Sequence, residues 1–149
     1  MQVVVAHAVD LPAIAALLAA AALPSLDSVA HADDFRVARA GAALLGVVGV
    51  ERYGAYGLLR SLVVAPHARG HGVGEALVAA IEAHARATHL RELVLLTTTA
   101  DRFFSRRGYT AFARDAMPLP VRASAEFAAL CPASAVCMRK ALVTPVRAP

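Results

Sequence analysis

Apolar and polar positions change period several times along the chain, and each change predicts an element. Residues 2–7 are rich in β-branched side chains and predict a strand. Asp10 can cap a helix opening on Leu11 and Pro12, because proline is tolerated where its missing N–H would have no partner. That helix runs to about Ala22, ahead of Pro24, and a polar connection follows over 25–33. Residues 35–40 and 43–53 read as strands joined at Gly41 and Ala42, and Gly54 to Gly57 turns the chain into a fourth strand, 58–64, closed by Pro66. Val73, Leu77, Ile81 and Ala85 then recur four apart, with Glu75, Glu82 and Arg86 mostly opposite, so 72–88 predicts an amphipathic helix.

The apolar run 93–96 suits a strand buried on both faces. Thr98 with Asp101 has the form of a capping box for a short helix that Gly108 stops. A strand over 109–113, a helix over 121–130 and a last strand over 135–142 complete the pattern, with 144–149 as a frayed tail. The order β-α-β-β-β-α-β-α-β, then a helix and a strand, predicts an α/β fold with a mixed sheet and helices on both faces. No repeat or linker interrupts it, so 1–149 is expected to be one domain.

Composition narrows the picture. At 149 residues with 58% hydrophobic and 17% charged positions, the chain supports one packed core and not a disordered segment. The absence of Trp and an aromatic share of 5% argue against a stacking surface for nucleic acid. Net charge is +4, yet basic residues adjoin only at Arg106-Arg107 and Arg139-Lys140, so a polyanionic small ligand suits the excess as well as nucleic acid does. The apolar stretch 11–23 is too short to span a bilayer, and it contains Pro12. Residues 1–5 do not read as a charged leader, and the two cysteines, Cys131 and Cys137, are not expected to form a disulfide framework. A soluble protein of the reducing cytoplasm is therefore expected, without a membrane or nucleic-acid partner. The C-x5-C spacing is not a common metal pattern, so no metal site is assigned.

The sharpest chemical feature is Leu62-Val63-Val64-Ala65-Pro66-His67-Ala68-Arg69-Gly70-His71-Gly72-Val73-Gly74, running directly into the amphipathic helix. Glycines allow a tight turn and close approach of a ligand, and a helix N-terminus offers N–H groups and a positive dipole end to a pyrophosphate. A dinucleotide fingerprint requires G-x-G-x-x-G with an acid about 20 residues on, and a P-loop requires G-x-x-x-x-G-K-[ST]. Neither pattern is met. What remains is R-x-x-G-x-G after a strand ending in L-x-V, and a second stretch, Ala100-Asp101-Arg102-Phe103-Phe104-Ser105-Arg106-Arg107-Gly108-Tyr109, is similar to A-x-x-F-Y-x-x-x-G-[FY] with Phe104 at the place of the tyrosine.

On these two motifs and the element order, the chain resembles the GNAT superfamily of N-acetyltransferases over nearly its whole length. Leu58-Leu59-Arg60-Ser61-Leu62, Leu96-Thr97-Thr98-Thr99-Ala100 and Cys131-Pro132-Ala133-Ser134-Ala135 are similar to small acetyltransferases associated with arsenic-resistance operons, and to the acetyltransferase domain of N-acetylglutamate synthases. The resemblance implies a mixed, mostly antiparallel sheet of six to seven strands, splayed between strands four and five. It implies acetyl-CoA as co-substrate, with the backbone of Leu62, Val63 and Val64 along the pantetheine arm. The amides of Arg69, Gly70, His71, Gly72, Val73 and Gly74 would hold the pyrophosphate. It also allows a homodimer.

The implied activity is acetyl transfer to the amine of a small, amino-acid-like acceptor. Detoxification of an arsenic-containing or phosphinic amino acid is one form, glutamate is the rival acceptor, and a non-catalytic acyl-CoA-binding module is the alternative class. In the superfamily a tyrosine often protonates the leaving thiolate, but this chain has Phe104 there. Glu51, which interrupts an apolar strand, is the candidate base. Arg60 interrupts the next strand, and an even hairpin loop would put both on one face, acid toward ammonium and guanidinium toward carboxylate. Thr97 and Thr98 lie where the fifth strand gives way to a helix, as candidate substrate contacts. His67, His84 and His89 are expected to be solvated or packing residues.

Overall fold

The structure is a computed structural model that describes residues 1–23, 31–124 and 135–142. Seven strands are present among them: β1 (Gln2–Val5), β2 (Phe35–Ala40), β3 (Ala43–Tyr53), β4 (Tyr56–Val64), β5 (Glu92–Thr97), β6 (Thr110–Phe112) and β7 (Val136–Ala141). The helices are α1 (Leu11–Ala20), α2 (Val73–Ala87), α3 (Asp101–Ser105) and α4 (Leu119–Arg122). The sheet order is β1-β2-β3-β4-β5-β7-β6. β1 with β2, β2 with β3, β5 with β7 and β6 with β7 are antiparallel, whereas β4 and β5 are parallel. That parallel ladder pairs Tyr56 to Glu92 and ends at Leu58 and Val94, and both strands continue past it.

By contacts the chain divides into two compact units, Met1–Glu51 with Leu59–His84, and Arg52–Leu58 with Ala85–Pro149. In the first, Phe35 and Val37 of β2 and Val47 of β3 are buried with Ile14 and Leu18 of α1. Ile14 and Leu18 stand four apart and so share one helix face. Gly46, next to Val47, points to the other face. A Cβ on it would lie 2.9 Å from Leu77 Cδ1 and 3.2 Å from Val73 Cγ1 of α2. The alternation of β3 thus sets α1 on one face of the sheet and α2 on the other, with glycine admitting the close approach of α2. In the second unit, Leu58, Val94 and Cys137 are buried with Met117 and Val121, and Tyr53, Tyr56, Leu96 and Phe112 pack around them.

Several local expectations change. Asp10 does not cap α1 through its side chain. Held in helical backbone (φ −82°, ψ −18°) at the end of a 3-10 turn, it reaches back to accept the His7 N–H at 2.8 Å and pairs with Arg39. Thr98 and Asp101 do not form a capping box either. The N-cap of α3 is Ala100, and its N–H is taken by Thr97 Oγ1 at 2.9 Å. Glu82, placed on the outer face of α2, is buried because it stands four residues after buried Val78. The helix expected over 121–130 begins earlier, as α4, which ends at Arg122 with Ala123 and Ser124 outside it, and 125–130 lie outside the described residues.

Candidate functional site

Gly54 (φ 64°) and Ala55 form a two-residue turn between β3 and β4, so the loop is even. Glu51 and Arg60 meet as that parity requires, with Arg60 Nη1 donating to Glu51 Oε1. The Arg60 side chain is 1% exposed and that of Glu51 is 20% exposed, so the acid has access to solvent and the guanidinium does not. Arg60 Nε also donates to Ser61 Oγ at 3.0 Å. To receive a substrate carboxylate directly, Arg60 would have to leave these partners.

Ser61 was not singled out by the sequence, and it is the irregular residue of β4, with φ 62° inside a strand. Alternation shows the consequence. Val47 and Glu51 lie on the same face of β3, and Arg60 contacts Glu51. Val63 packs in the cluster of Val47. Arg60 and Val63 therefore share a face although three residues apart, where regular alternation would oppose them. One extra residue has been absorbed between them, as in a bulge, and the left-handed Ser61 is where.

Beyond this point the strand is regular again. Ala65 N–H donates to the Leu45 carbonyl of β3 at 2.7 Å. By alternation the N–H and C=O groups of Leu62 and Val64 point to the opposite edge of β4.

A 3-10 turn, Pro66–Ala68, follows, with Ala68 N–H on the Ala65 carbonyl at 2.9 Å. Arg69 Nε donates to the Val64 carbonyl at 3.3 Å, which folds this exposed side chain back against the strand end. Gly70 (φ 81°) and Gly72 (φ 78°) are both left-handed, and a Cβ on either would meet nothing within 4 Å. Backbone conformation, not crowding, requires glycine at both, and the space outside the turn is open. The first helical bond of α2 runs from Ala76 N–H to the Gly72 carbonyl at 3.1 Å. The N–H groups before it have no partner within the helix and lie at its positive end. Val73, 3% exposed, anchors this end in the core, while His71 is exposed. N–H groups at the positive end of a helix, next to open space, are an arrangement that can hold an anion such as a pyrophosphate.

The second unit holds the other residues singled out from sequence. Thr97 is half-buried and Thr98 exposed. Phe104 is buried, with Tyr109 edge-on at 5.3 Å and Phe103 at 5.1 Å between ring centres. Arg107 lies over the Phe103 ring at 3.7 Å. Tyr109 is only 2% exposed, in keeping with a core residue. Cys137 is buried in β7, and Cys131 lies outside the described residues. Among the described residues no group of His, Cys, Asp and Glu could hold a metal, and no helix is long and apolar enough to cross a membrane.

His84, expected to be a solvated or packing residue, is nearly buried, and its unforeseen partner is Asp34, with Nε2 2.9 Å from Oδ1. Next to it, burial pushes the Arg36 guanidinium below its ordinary value, while Asp34 and Asp33 act in the opposite direction.

Comparison with known proteins shows the family and the fold. Residues 31–111, more than half of the chain, match the acetyltransferase (GNAT) domain family. An amino-acid acetyltransferase of Ralstonia nicotianae is 40% identical over 62 residues, which span 42% of this chain and 14% of that protein. N-acetylglutamate synthase from Neisseria gonorrhoeae, solved with coenzyme A and N-acetyl-glutamate, superposes with a TM-score of 0.81 at 24% identity over 96% of this chain and 35% of that one. Rv2747 from Mycobacterium tuberculosis, solved in complex with CoA, gives 0.79 at 22% identity over 96% of this chain and all of that one. The chain thus spans a minor part of the first two relatives and the full length of the third.

Proposed function

Because the chain belongs to the GNAT acetyltransferase family, we propose that residues 1–149 form one acetyltransferase domain that moves an acetyl group from acetyl-CoA to the amine of a small, amino-acid-like acceptor. The observation that carries this is the pair formed by the outward edge of Leu62 and Val64 and the left-handed turn at the start of α2. The N–H groups around Gly70, His71, Gly72, Val73 and Gly74 hold the pyrophosphate, with Arg69 adding charge. The edge groups of Leu62 and Val64 pair with the pantetheine amides as a further strand would. Val63 faces the core and fixes the strand.

Bound acetyl-CoA supplies a thioester whose C–S bond breaks as the acceptor nitrogen forms its C–N bond, sulfur keeping the electron pair and taking a proton. Glu51, partly exposed beside Arg60, accepts the proton the amine gives up, directly or through a water. Phe104 has no proton to give, so the thiolate is protonated from solvent or from the proton the amine releases. Thr97 and Thr98 are the proposed contacts in the second unit.

The likeness to the Ralstonia amino-acid acetyltransferase supports an amino-acid acceptor, and the fold shared with the Neisseria N-acetylglutamate synthase makes glutamate the first to test. Arsenic-containing and phosphinic amino acids are the other acceptors in the class. The deciding measurement is thiol release from acetyl-CoA across a panel of amines that includes all three. Release with one amino acid well above the rest identifies the acceptor. Tight CoA binding with no release on any amine would replace the transferase by a CoA-binding module.

A further inference from the structure

We propose that Ser61 is a positioning residue, latched by the buried Arg60 guanidinium so that β4 presents the backbone of Leu62 and Val64, not of its neighbours, to the acyl donor. This rests on the acetyl-CoA reading above. Strand alternation leaves only two settings for the four residues after Arg60. Without an extra residue, the groups now facing outward at Leu62 and Val64 would turn toward β3, and Val63 would leave the core cluster it occupies. The setting observed depends on one left-handed residue, and that residue is a serine. Nothing in serine's backbone chemistry favours φ 62°, since a side chain there is strained.

What holds it is visible around it. The Ser61 hydroxyl accepts Arg60 Nε at 3.0 Å, and the same guanidinium donates to Glu51. With the Arg60 side chain 1% exposed, the bond to Ser61 is out of water, where exchange for solvent cannot soften it. Arg60 is planar, so the direction of Nε is tied to that of Nη1. Glu51 on β3 thereby fixes the plane, and the plane fixes the Ser61 hydroxyl. The chain Glu51, Arg60, Ser61 couples the proposed base to the backbone that receives the thioester.

The test is Ser61→Ala, alone and combined with Arg60→Lys, with Ser61→Gly as the rescue. Alanine loses the hydroxyl and keeps the strain at φ 62°, whereas glycine adopts that angle freely and holds the setting without a latch; a thermal melt confirms that both variants fold. With the latch functional, kcat for thiol release falls on the order of tenfold to a hundredfold in Ser61→Ala and is retained in Ser61→Gly. The KM for acetyl-CoA, set largely by the distant pyrophosphate turn, changes little. Arg60→Lys, which keeps the charge and loses the fork, gives a similar fall, and the double variant is no worse than either single one.

A Ser61→Ala enzyme with unaltered kcat, or single effects that multiply in the double variant, overturns the latch while leaving the transferase intact. If the unsubstituted protein neither binds CoA by calorimetry nor releases thiol, the acetyl-CoA reading falls and the latch with it.

Discussion

Arg69 is exposed, yet its Nε is tied to the Val64 carbonyl at 3.3 Å. Its charge is therefore held near the turn and does not sweep through solvent. A charge-assisted contact contributes about 1.5–3 kcal/mol, so Arg69→Ala is expected to weaken CoA binding about tenfold to a hundredfold by calorimetry. An acetyl-pantetheine thioester, which lacks the pyrophosphate, is the control: its turnover should not distinguish the variant from the parent. Glu51 is argued differently, because its partner is a buried cation and its own carboxylate reaches solvent. As general base it accounts for a factor of about 10²–10⁴. Glu51→Gln, which can still accept from Arg60, should lower kcat within that range at little change in the KM for acetyl-CoA. A fall below threefold would remove Glu51 from the chemistry.

Elements show why some of this was legible in the sequence and some was not. The start of α2 was legible because glycines at 70 and 72 leave few backbone choices, and both are left-handed as a tight turn demands. Its core face was legible from the four-residue recurrence, apart from Glu82, whose burial follows from Val78, which the pattern left out. The bulge in β4 was not legible, since a serine between an arginine and a leucine carries no signal for positive φ. Nor was the pairing of His84 with Asp34, fifty positions apart, because only the packing of α2 against the start of β2 brings them together.

Gly46 belongs to the same scale. In the sequence it is one small residue in an apolar strand, whereas in the fold a Cβ there would lie 2.8 Å from the Val63 carbonyl and 2.9 Å from Leu77 Cδ1. Backbone on one side and a helix on the other cannot both give way. Gly46→Ala is expected to destabilise the protein by about 1–3 kcal/mol. A lower denaturation midpoint at unchanged slope would show this.

At the scale of the whole molecule the question is how much of the protein's stability the co-substrate controls. A ligand that binds only the folded chain adds about 2.7 kcal/mol at a hundred times its dissociation constant. For a chain of 149 residues each kcal/mol corresponds to about 2–4 °C of melting temperature. Saturating CoA should therefore raise the melting temperature by roughly 5–10 °C. The net charge of +4 adds a second signature, because the ligand is a polyanion. Part of the affinity comes from screened attraction, so the shift should shrink as salt rises through the range where the Debye length falls below about 8 Å. Arg69→Ala should flatten that salt dependence while leaving the melting temperature without ligand unchanged. A polyanion bound anywhere on a basic surface would also stabilise the chain and respond to salt. It would not lose its salt dependence at one arginine, and inorganic polyphosphate that reproduced the full shift in the Arg69→Ala protein would show that net charge, not the turn at the head of α2, does the binding.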